Sequence, residues 1–274
     1  MVYFSIIMAT RNNFPYLDLA IRSILSQTYS DWEFIIVNDG STDASYELLA
    51  TYADLYDKIT VIHNSHPIGV SRARNLAVHA SSGTWVVILD GDDSCLPNRL
   101  QALYETTSRS SDLVICGTFS YLCDPNLQIH RVMEYPCSDL EIRNRILISS
   151  AFCLPSCALR RDAILNAGGY NPSLQAAEDY DLSLRLLTLG KGCNLPVPLY
   201  LYRTHNNSLT STMSTTMIIN TLYIKCKALI EYQYTFSISL LVISLLQLCS
   251  LCIPTFIRRY IWNTVLFRFI KFLV

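Results

Sequence analysis

The chain has 274 residues, of which 51% are hydrophobic and only 16% are charged, and its formal net charge is −1. This apolar composition excludes a disordered chain, because enough surface can be buried to offset the entropy lost on ordering. The balanced charge argues against a nucleic-acid-binding protein that relies on bulk positive charge.

Residues 1–117 are predicted to alternate buried strands with amphipathic helices. The predicted strands are Phe4–Met8, Phe34–Val37, Ile59–Ile62, Trp85–Leu89 and Leu113–Cys116. Between them, apolar residues recur at helical spacing in stretches that follow Leu17, Ser41, Ser71 and Pro97. This alternation predicts an α/β protein with a mainly parallel sheet that is flanked by helices on both faces.

Residues 118–214 follow a different pattern of shorter elements. A hairpin is predicted from Phe119–Leu122 and Ile129–Met133. Helices are predicted at Leu140–Ile148, Asp162–Asn166 and Glu178–Leu189, and strands at Ser156–Arg160 and Leu199–Tyr202.

Polar side chains follow the predicted strands, where a parallel sheet binds its ligands. The sharpest group holds three carboxylates in four residues, namely Asp90, Asp92 and Asp93. These charges repel one another, and oxygen ligands suit Mg²⁺ or Mn²⁺. Because Mg²⁺ prefers one or two carboxylates plus substrate phosphates, the group predicts a metal–diphosphate substrate. A solvated acidic turn is the alternative, and these residues alone do not decide between the two.

Two other acidic positions are candidate site residues. Asp39 follows the second strand, and its carboxylate can accept a hydrogen bond from a nucleobase N–H or a ribose hydroxyl. An Asx-type turn that caps a helix is the simpler reading of Asp39. Glu178 and Asp179 begin a core-facing helix, where the helix dipole favours acids, but a carboxylate fixed there can also act as a general base.

Basic residues complete the set of candidates. Arg72 and Arg74 lie at a predicted helix start, where they either contact a phosphate or base or are solvated. Arg203 and His205 lie in a polar loop, where they either serve a phosphate or a metal or are solvated.

These features in order resemble the family-2 glycosyltransferases of the GT-A fold. The resemblance covers most of residues 3–205. Each motif alone is weak to moderate, but the ordered set is specific. The motifs are Ser5-Ile-Ile-Met-Ala-Thr-Arg-Asn, Trp32-Glu-Phe-Ile-Ile-Val-Asn-Asp-Gly-Ser-Thr-Asp, Gly69-Val-Ser-Arg-Ala-Arg-Asn, Leu89-Asp-Gly-Asp-Asp, Gly168-Gly-Tyr and Ala177-Glu-Asp-Tyr-Asp-Leu-Ser-Leu-Arg.

The resemblance implies an inverting transferase that moves a sugar from a nucleotide-diphosphate sugar, most simply a UDP-sugar, to a hydroxyl. It implies a GT-A-like domain over residues 1–214, with a nucleotide-binding half at about 1–117 and an acceptor half at about 118–214. The implied donor-binding residues are Thr10, Arg11, Asp39, Arg72, Arg74 and Asp90.

The resemblance also implies roles in metal binding and catalysis. Mn²⁺ or Mg²⁺ would be held by Asp92 and Asp93, with His205 as a closing contact, and Asp179 would be the base with Glu178 as its neighbour. The Gln-x-x-Arg-Trp motif of processive synthases is absent from the sequence, since no tryptophan follows in that position. We therefore expect the addition of one sugar or very few, to a glycan or lipid-linked acceptor in cell-surface polysaccharide synthesis.

Other functions compete with this reading. Transfer to a polyprenyl phosphate needs no base, because that acceptor is already an anion. A non-catalytic nucleotide-sugar-binding protein on the same fold is a second alternative, although every acidic motif is intact. A dinucleotide oxidoreductase is disfavoured because no G-x-G-x-x-G follows the first strand.

The last 60 residues differ from the rest of the chain. Residues 215–274 carry six bases and one acid, a net charge of +5, whereas residues 1–214 carry 15 bases and 21 acids, a net charge of −6. No residue from Tyr232 to Ile257 is charged, and this length could cross a bilayer of about 30 Å. The basic and aromatic segment from Arg258 suits a membrane interface.

Charge favours one topology for this helical tail. A single span would export the basic C-terminus of a chain whose donor is cytosolic, against the positive-inside tendency. We therefore predict that residues 232–274 associate with the cytoplasmic face of a membrane as a peripheral or monotopic segment. A single span is one alternative, and a soluble helical cap or a homo-oligomer interface is another.

Overall fold

The computed structural model describes residues 2–205 and 214–253. The strands are β1 (Phe4–Thr10), β2 (Trp32–Asp39), β3 (Ile59–Asn64), β4 (Trp85–Ile88), β5 (Ser94–Cys95), β6 (Leu113–Cys123), β7 (Ile129–Met133), β8 (Ala158–Arg160) and β9 (Lys191–Arg203). The helices are α1 (Phe14–Leu25), α2 (Ser45–Leu55), α3 (Val70–Ala80), α4 (Arg99–Thr107), α5 (Asp139–Arg145), α6 (Arg161–Asn166), α7 (Glu178–Leu187), α8 (Ser214–Glu231) and α9 (Ile238–Ser250).

The sheet has the strand order β3-β2-β1-β4-β8-β6-β9-β5, and β7 pairs with β6. The first four strands in this order are parallel, so the polar residues that follow β1, β2 and β4 meet at one edge. Within the described residues, four strand pairs are parallel and four are antiparallel, so the sheet is mixed. The prediction of a mainly parallel sheet is therefore confirmed for β1–β4. Beyond them β6 and β9 are also parallel, but β5, β7 and β8 run antiparallel to their neighbours, which corrects the prediction. For β6 and β7 the reason is the tight turn that joins them, since such a turn connects antiparallel strands.

Two strands are longer than their apolar residues predict. β6 extends the predicted strand Leu113–Cys116 to Cys123, and β9 begins eight residues before the predicted Leu199. Buried polar residues interrupt the apolar pattern in both strands. In β9, for example, the amide of Asn194 is buried and donates to the carbonyl oxygens of Pro136 and Ala151, at 2.7 and 2.9 Å.

Helices cover both faces of the sheet, as predicted. In β1, Ile6 and Met8 pack into a core with α1, α2 and α4, whereas Ile7 faces the opposite core with α3. This second core also contains apolar residues of α5, α6 and α7. The alternation of side chains along β1 therefore fixes which helices lie on which side.

The two C-terminal helices pack on the same side as α7. Ile224, Ala228 and Leu240 belong to the core that α7 shares. The hydroxyl of Tyr234 donates to the carbonyl oxygen of Leu184 in α7 at 3.1 Å. The side chain of Asn220 donates to the carbonyl oxygen of Ala176, just before α7, at 2.9 Å.

Within the predicted apolar stretch 232–257, the residues Ile238–Ser250 form α9. Across the described ranges, no helix is both long and apolar enough to cross a membrane. The basic and aromatic segment predicted to lie at a membrane interface, which includes Arg258 and Arg259, falls outside the described residues.

Candidate active site

Asp39 ends β2 as a buried carboxylate with a fixed orientation. One oxygen accepts from the Asn64 side chain at 3.0 Å and from the backbone N–H of Ile68 at 2.8 Å. The other oxygen accepts from the backbone N–H of Gly69 at 2.9 Å. The loop after β3 therefore wraps around Asp39, and Gly40, with φ of +66°, makes the turn tight enough for this loop to approach.

The acidic turn, defined as residues 90–93, follows β4 and lies against the end of β1. A Cβ atom added to Gly91 would be 2.5 Å from the hydroxyl oxygen of Thr10, so only glycine allows this approach. Thr10 is buried, and its hydroxyl accepts from the Asn13 side chain at 3.3 Å. Thr10 is thus brought to the acidic turn, whereas the resemblance implied a place for it beside Asp39.

Arg74 connects the acidic turn to the start of α7. One terminal nitrogen lies 2.6 Å from Asp179 and 3.1 Å from Glu178, and the other lies 2.8 Å from Asp90. The side chain is only 6% exposed, and its aromatic neighbour is the ring of Tyr170, at 5.4 Å. Arg74 therefore pairs with three carboxylates inside the protein, rather than pointing its guanidinium at solvent.

The two helix starts at this contact are built locally. Ala73, next to Arg74, is buried against the sheet, and Asn75 exchanges two hydrogen bonds with the backbone of Tyr170, both of 2.8 Å. Ala177 has a left-handed backbone, with φ of +63°, immediately before α7. Such conformations are uncommon outside glycine and are concentrated at functional sites.

Asp92 and His205 lie at the open side of the acidic turn. Their side chains are joined at 2.8 Å, with 21% of Asp92 and 9% of His205 exposed. The ring of Tyr16 lies 5.0 Å from that of His205. The sequence indicated both residues as metal ligands, and the structure brings them together although 113 positions separate them.

Asp93 points away from this pair. Its carboxylate oxygens accept from the Tyr200 hydroxyl and from the backbone N–H of Arg203, both at 2.7 Å. The Arg203 side chain is also occupied, since it donates to the carbonyl oxygens of Asp92 and Pro125. In the described part of the chain, no cluster of three or more His, Cys, Asp or Glu side chains could hold a metal ion. The described donors fit a cation only if the diphosphate supplies further ligands.

The other predicted donor-binding arginines are peripheral. Arg11 is exposed at the end of β1, and Arg72 is exposed on α3, where it donates to the carbonyl oxygen of Ile68 at 3.2 Å. Tyr200 and Arg99, which contact the acidic turn or its strand, were not identified from the sequence. Tyr200 lies in an apolar segment, where nothing marks it as different from a core residue, and Arg99 lies among polar residues, where nothing marks it as buried.

The electrostatics of the site follow from burial and like charge. Burial raises the pKa of Asp179 to about 7, an effect that Arg74 opposes and that Glu178 and Asp90 increase. Burial also raises the pKa of Asp92, and the charge of Asp90 adds to this. Around neutral pH the site therefore holds a carboxyl group that can both take and release a proton.

Replacing Arg74 should destabilise the fold much more than replacing its neighbour Arg72. Arg74→Met leaves three carboxylates facing each other, and loss of one partner of a buried pair costs about 3–5 kcal/mol. We expect about 3 kcal/mol, because Asp90 and Asp179 are 26% and 28% exposed. Arg72→Met should change the free energy of unfolding by less than about 0.5 kcal/mol. Urea unfolding of both variants at pH 7 measures the difference, and equal effects would contradict the role given to Arg74.

Comparison with known proteins shows which family this chain resembles. The family model described as Glycosyl transferase family 2 matches residues 5–169, which include Asp39, Arg74 and the acidic turn. The chain is 32% identical over 215 residues to EpsJ, an uncharacterized glycosyltransferase of Bacillus subtilis, covering 75% of this chain and 62% of EpsJ. It is 34% identical over 209 residues to WbnJ, an O-antigen biosynthesis glycosyltransferase of Escherichia coli, covering 74% of this chain and 80% of WbnJ.

Solved structures share the fold at low sequence identity. S. aureus TarS 1–349 in complex with UDP-GlcNAc has a TM-score of 0.66 and 18% identity, covering 81% of this chain and 66% of that chain. GalNAc-T7 with UDP, GalNAc and Mn²⁺ has a TM-score of 0.66 and 16% identity, covering 85% of this chain and 49% of that chain. The fold is thus the GT-A-like α/β fold that the resemblance implied. The chain belongs to glycosyl transferase family 2.

Proposed function

We propose that this chain transfers a sugar, with inversion, from a nucleoside-diphosphate sugar to a hydroxyl of a glycan or lipid-linked acceptor. The observation that carries the proposal is the ion pair of Arg74 with both Asp179 and Asp90. Through this ion pair, Asp179, whose pKa of about 7 suits proton transfer, lies beside the acidic turn, which would contact the diphosphate. The name of WbnJ, an O-antigen biosynthesis enzyme, supports a role in polysaccharide synthesis.

The donor would bind along the edge where β1, β2 and β4 end. Asp39 is an acceptor whose position is fixed before any ligand arrives, which suits a base N–H or a ribose hydroxyl. Thr10 and Asp90 would lie beneath the ribose and the sugar, with Arg11 and Arg72 at the rim. TarS, whose fold is similar, was solved with UDP-GlcNAc, and this supports a UDP-sugar as the donor.

Mn²⁺ or Mg²⁺ would be held by Asp92, with His205 beside it. The carboxylate is partly exposed, and its oxygen donors suit either ion. When bound, the ion would act as a Lewis acid that stabilises the charge developing on the nucleoside diphosphate as it leaves. Asp93, whose oxygens are bonded to β9, would contribute charge and support from the inner side of the turn.

Asp179 would act as the base toward the acceptor hydroxyl. It would take the hydroxyl proton while the acceptor oxygen attacks the anomeric carbon and the diphosphate leaves. This single displacement inverts the anomeric configuration and needs no protein nucleophile. Arg74 would hold the Asp179 carboxylate in place with Glu178 as its neighbour, since the Arg74 guanidinium lies 2.6 Å from Asp179 and 3.1 Å from Glu178.

Replacing Asp179 tests this role. Asp179→Asn should lower kcat for transfer by about 10²–10⁴-fold, because one general base contributes about that factor. In the wild-type protein, kcat/KM should rise as pH increases through about 7, where the base loses its proton. The test is an initial-rate pH profile of both proteins with a glycan acceptor.

The matched control is Asp139→Asn. Asp139 lies in the first turn of α5 and pairs with Arg143 at 2.7 Å, so it has the same local setting far from the acidic turn. We expect normal rates for this variant. Near-normal turnover of Asp179→Asn would contradict the base assignment and would favour transfer to a polyprenyl phosphate instead.

The tail helices are proposed to bring the enzyme to the cytoplasmic face of a membrane. Apolar side chains that are 46–81% exposed follow one another along α8 and α9 at helical spacing, and we call them the apolar face. Lys225 is turned inward, where its amine donates to the Gln247 side chain at 2.9 Å. The apolar face consists of Ile219, Tyr223, Ile230, Ile238, Leu241, Leu245 and Leu248.

Charge selects an anionic bilayer as the partner of this face. Residues 254–274 carry four bases and no acid, and they follow directly after α9 in the sequence. Anionic headgroups attract such segments, by about 1 kcal/mol per base near the surface. The acceptor would then reach Asp179 from the lipid side, because α8 and α9 pack on the helix that carries this base.

Vesicle sedimentation tests this part of the proposal. The wild-type protein should bind phosphatidylglycerol vesicles, and it should bind phosphatidylcholine vesicles more weakly. Replacing Ile230, Ile238 and Leu245 by serine should weaken binding at least about tenfold, because each buried CH₂ contributes about 0.8 kcal/mol. Replacing the similarly exposed Leu19 and Leu55 on α1 and α2 is the control and should have no effect. No vesicle binding, or an equal effect of the control, would refute membrane docking.

A further inference from the structure

Asp93 is the inward-facing carboxylate of the acidic turn. It is only 2% exposed, and both of its oxygens accept hydrogen bonds from β9. Asp90 and Asp92 are more exposed and face Arg74 and His205. Because its oxygens face Tyr200 and the backbone of Arg203 in β9, Asp93 is well placed to hold the turn against this strand.

Tyr200 joins the two ends of this turn. Its hydroxyl donates to Asp93 at 2.7 Å and accepts from the backbone N–H of Asp90 at 3.3 Å. The backbone N–H of Asp93 also donates to the carbonyl oxygen of Asp90 at 3.2 Å. Because the Tyr200 side chain is fully buried in β9, the position of its hydroxyl is set by the sheet.

Arg99 supports Tyr200 from behind. Its side chain is fully buried in α4, and the guanidinium carbon lies 5.0 Å from the centre of the Tyr200 ring. It donates to the carbonyl oxygens of Ile88 and Pro155, at 2.9 and 2.8 Å. Ile88 ends β4, two residues before the turn begins. A cation on the ring face is attracted by the ring electrons and also favours the negative charge that the hydroxyl contacts.

We infer that Tyr200 and Arg99 are positioning residues that hold the acidic turn where Asp92 would meet the cation and the diphosphate. Both side chains are fully buried, and the inference rests on the proposed function. Arg203 of the same strand donates to the carbonyl oxygen of Asp92 at 2.5 Å, and His205, two residues after the strand, contacts the Asp92 carboxylate. A shift of the turn relative to β9 would therefore move Asp92 away from His205.

The test is Tyr200→Phe, which keeps the ring and removes only the hydroxyl. The probe is UDP binding measured by calorimetry at increasing Mn²⁺ concentration. We expect the half-saturating Mn²⁺ concentration to rise at least about fivefold, while UDP binding without Mn²⁺ changes less than twofold. A merely structural role would change thermal stability but not this ratio.

Tyr52→Phe is a closely matched control. Tyr52 donates to Asp18 at 2.7 Å, the same type and length of hydrogen bond, between α1 and α2. This variant should keep the wild-type Mn²⁺ dependence even if its stability falls. An equal rise in both variants, or no rise in Tyr200→Phe, would overturn the inference.

A double-mutant cycle with Asp93→Asn separates support from direct metal binding. If Tyr200 acts through Asp93, the double variant should need no more Mn²⁺ than the weaker-binding single variant, within about twofold. Independent, multiplicative effects would overturn the inference and would favour Asp93 as a direct ligand.

If the wild-type protein shows no Mn²⁺-dependent UDP binding, the proposed function fails and this inference fails with it. If the wild-type protein shows Mn²⁺-dependent UDP binding and the variants show the same dependence, the proposed function stands and the inference alone is refuted.

Discussion

The candidate site depends on one buried cation. Arg74 lies between carboxylates from two distant parts of the chain, namely Asp90 after β4 and the pair at the start of α7. Without a cation there, the three acids gathered around this position would repel one another or take up protons. The position of Arg74 follows from α3, whose small residues Ala73 and Ala77 allow the helix to lie close to the sheet. The close packing of α3 on the sheet thus sets the position of Arg74, and through Arg74 the positions of the proposed base and the acidic turn.

The opposite wall of the site is built by β9. Tyr200 and Arg203 of this strand, and His205 just after it, contact the acidic turn. Because Tyr200 and Arg203 belong to one strand and are both buried, the turn is held on its inner side by groups that cannot move independently. The partly exposed carboxylates of Asp90 and Asp92 lie on the outer side of the turn, which a donor would approach.

Much of the site could be predicted from the sequence, and the reason is geometric. Parallel strands bring their carboxyl ends to one edge, so Asp39 and the acidic turn could be placed together once the strands were recognised. The partners of Arg74 could not be predicted, since Glu178 and Asp179 are more than 100 positions away. The sequence indicated a phosphate or a base as a partner of Arg74. An arginine at a helix start can pair with either a phosphate or a carboxylate, because both are anions, and the sequence does not distinguish them. The inward turn of Asp93 depends on β9, and the sequence indicated only the last part of that strand.

The structure of the tail could also be predicted only in part from the sequence. Its composition predicts an apolar segment beside basic residues, but not that the chain leaves the helix between Glu231 and Ile238 and returns along α8. That reversal is stabilised by contacts with α7 that only the folded domain provides.

The most direct test of the account is the fate of the donor sugar. Wild-type protein would be incubated with a panel of nucleoside-diphosphate sugars, with and without Mn²⁺, and the products would be followed by proton NMR. The account predicts that at least one donor is consumed only in the presence of the ion, and that the released or transferred sugar has the opposite anomeric configuration. A folded protein that consumes no donor, or a product with retained configuration, would contradict it.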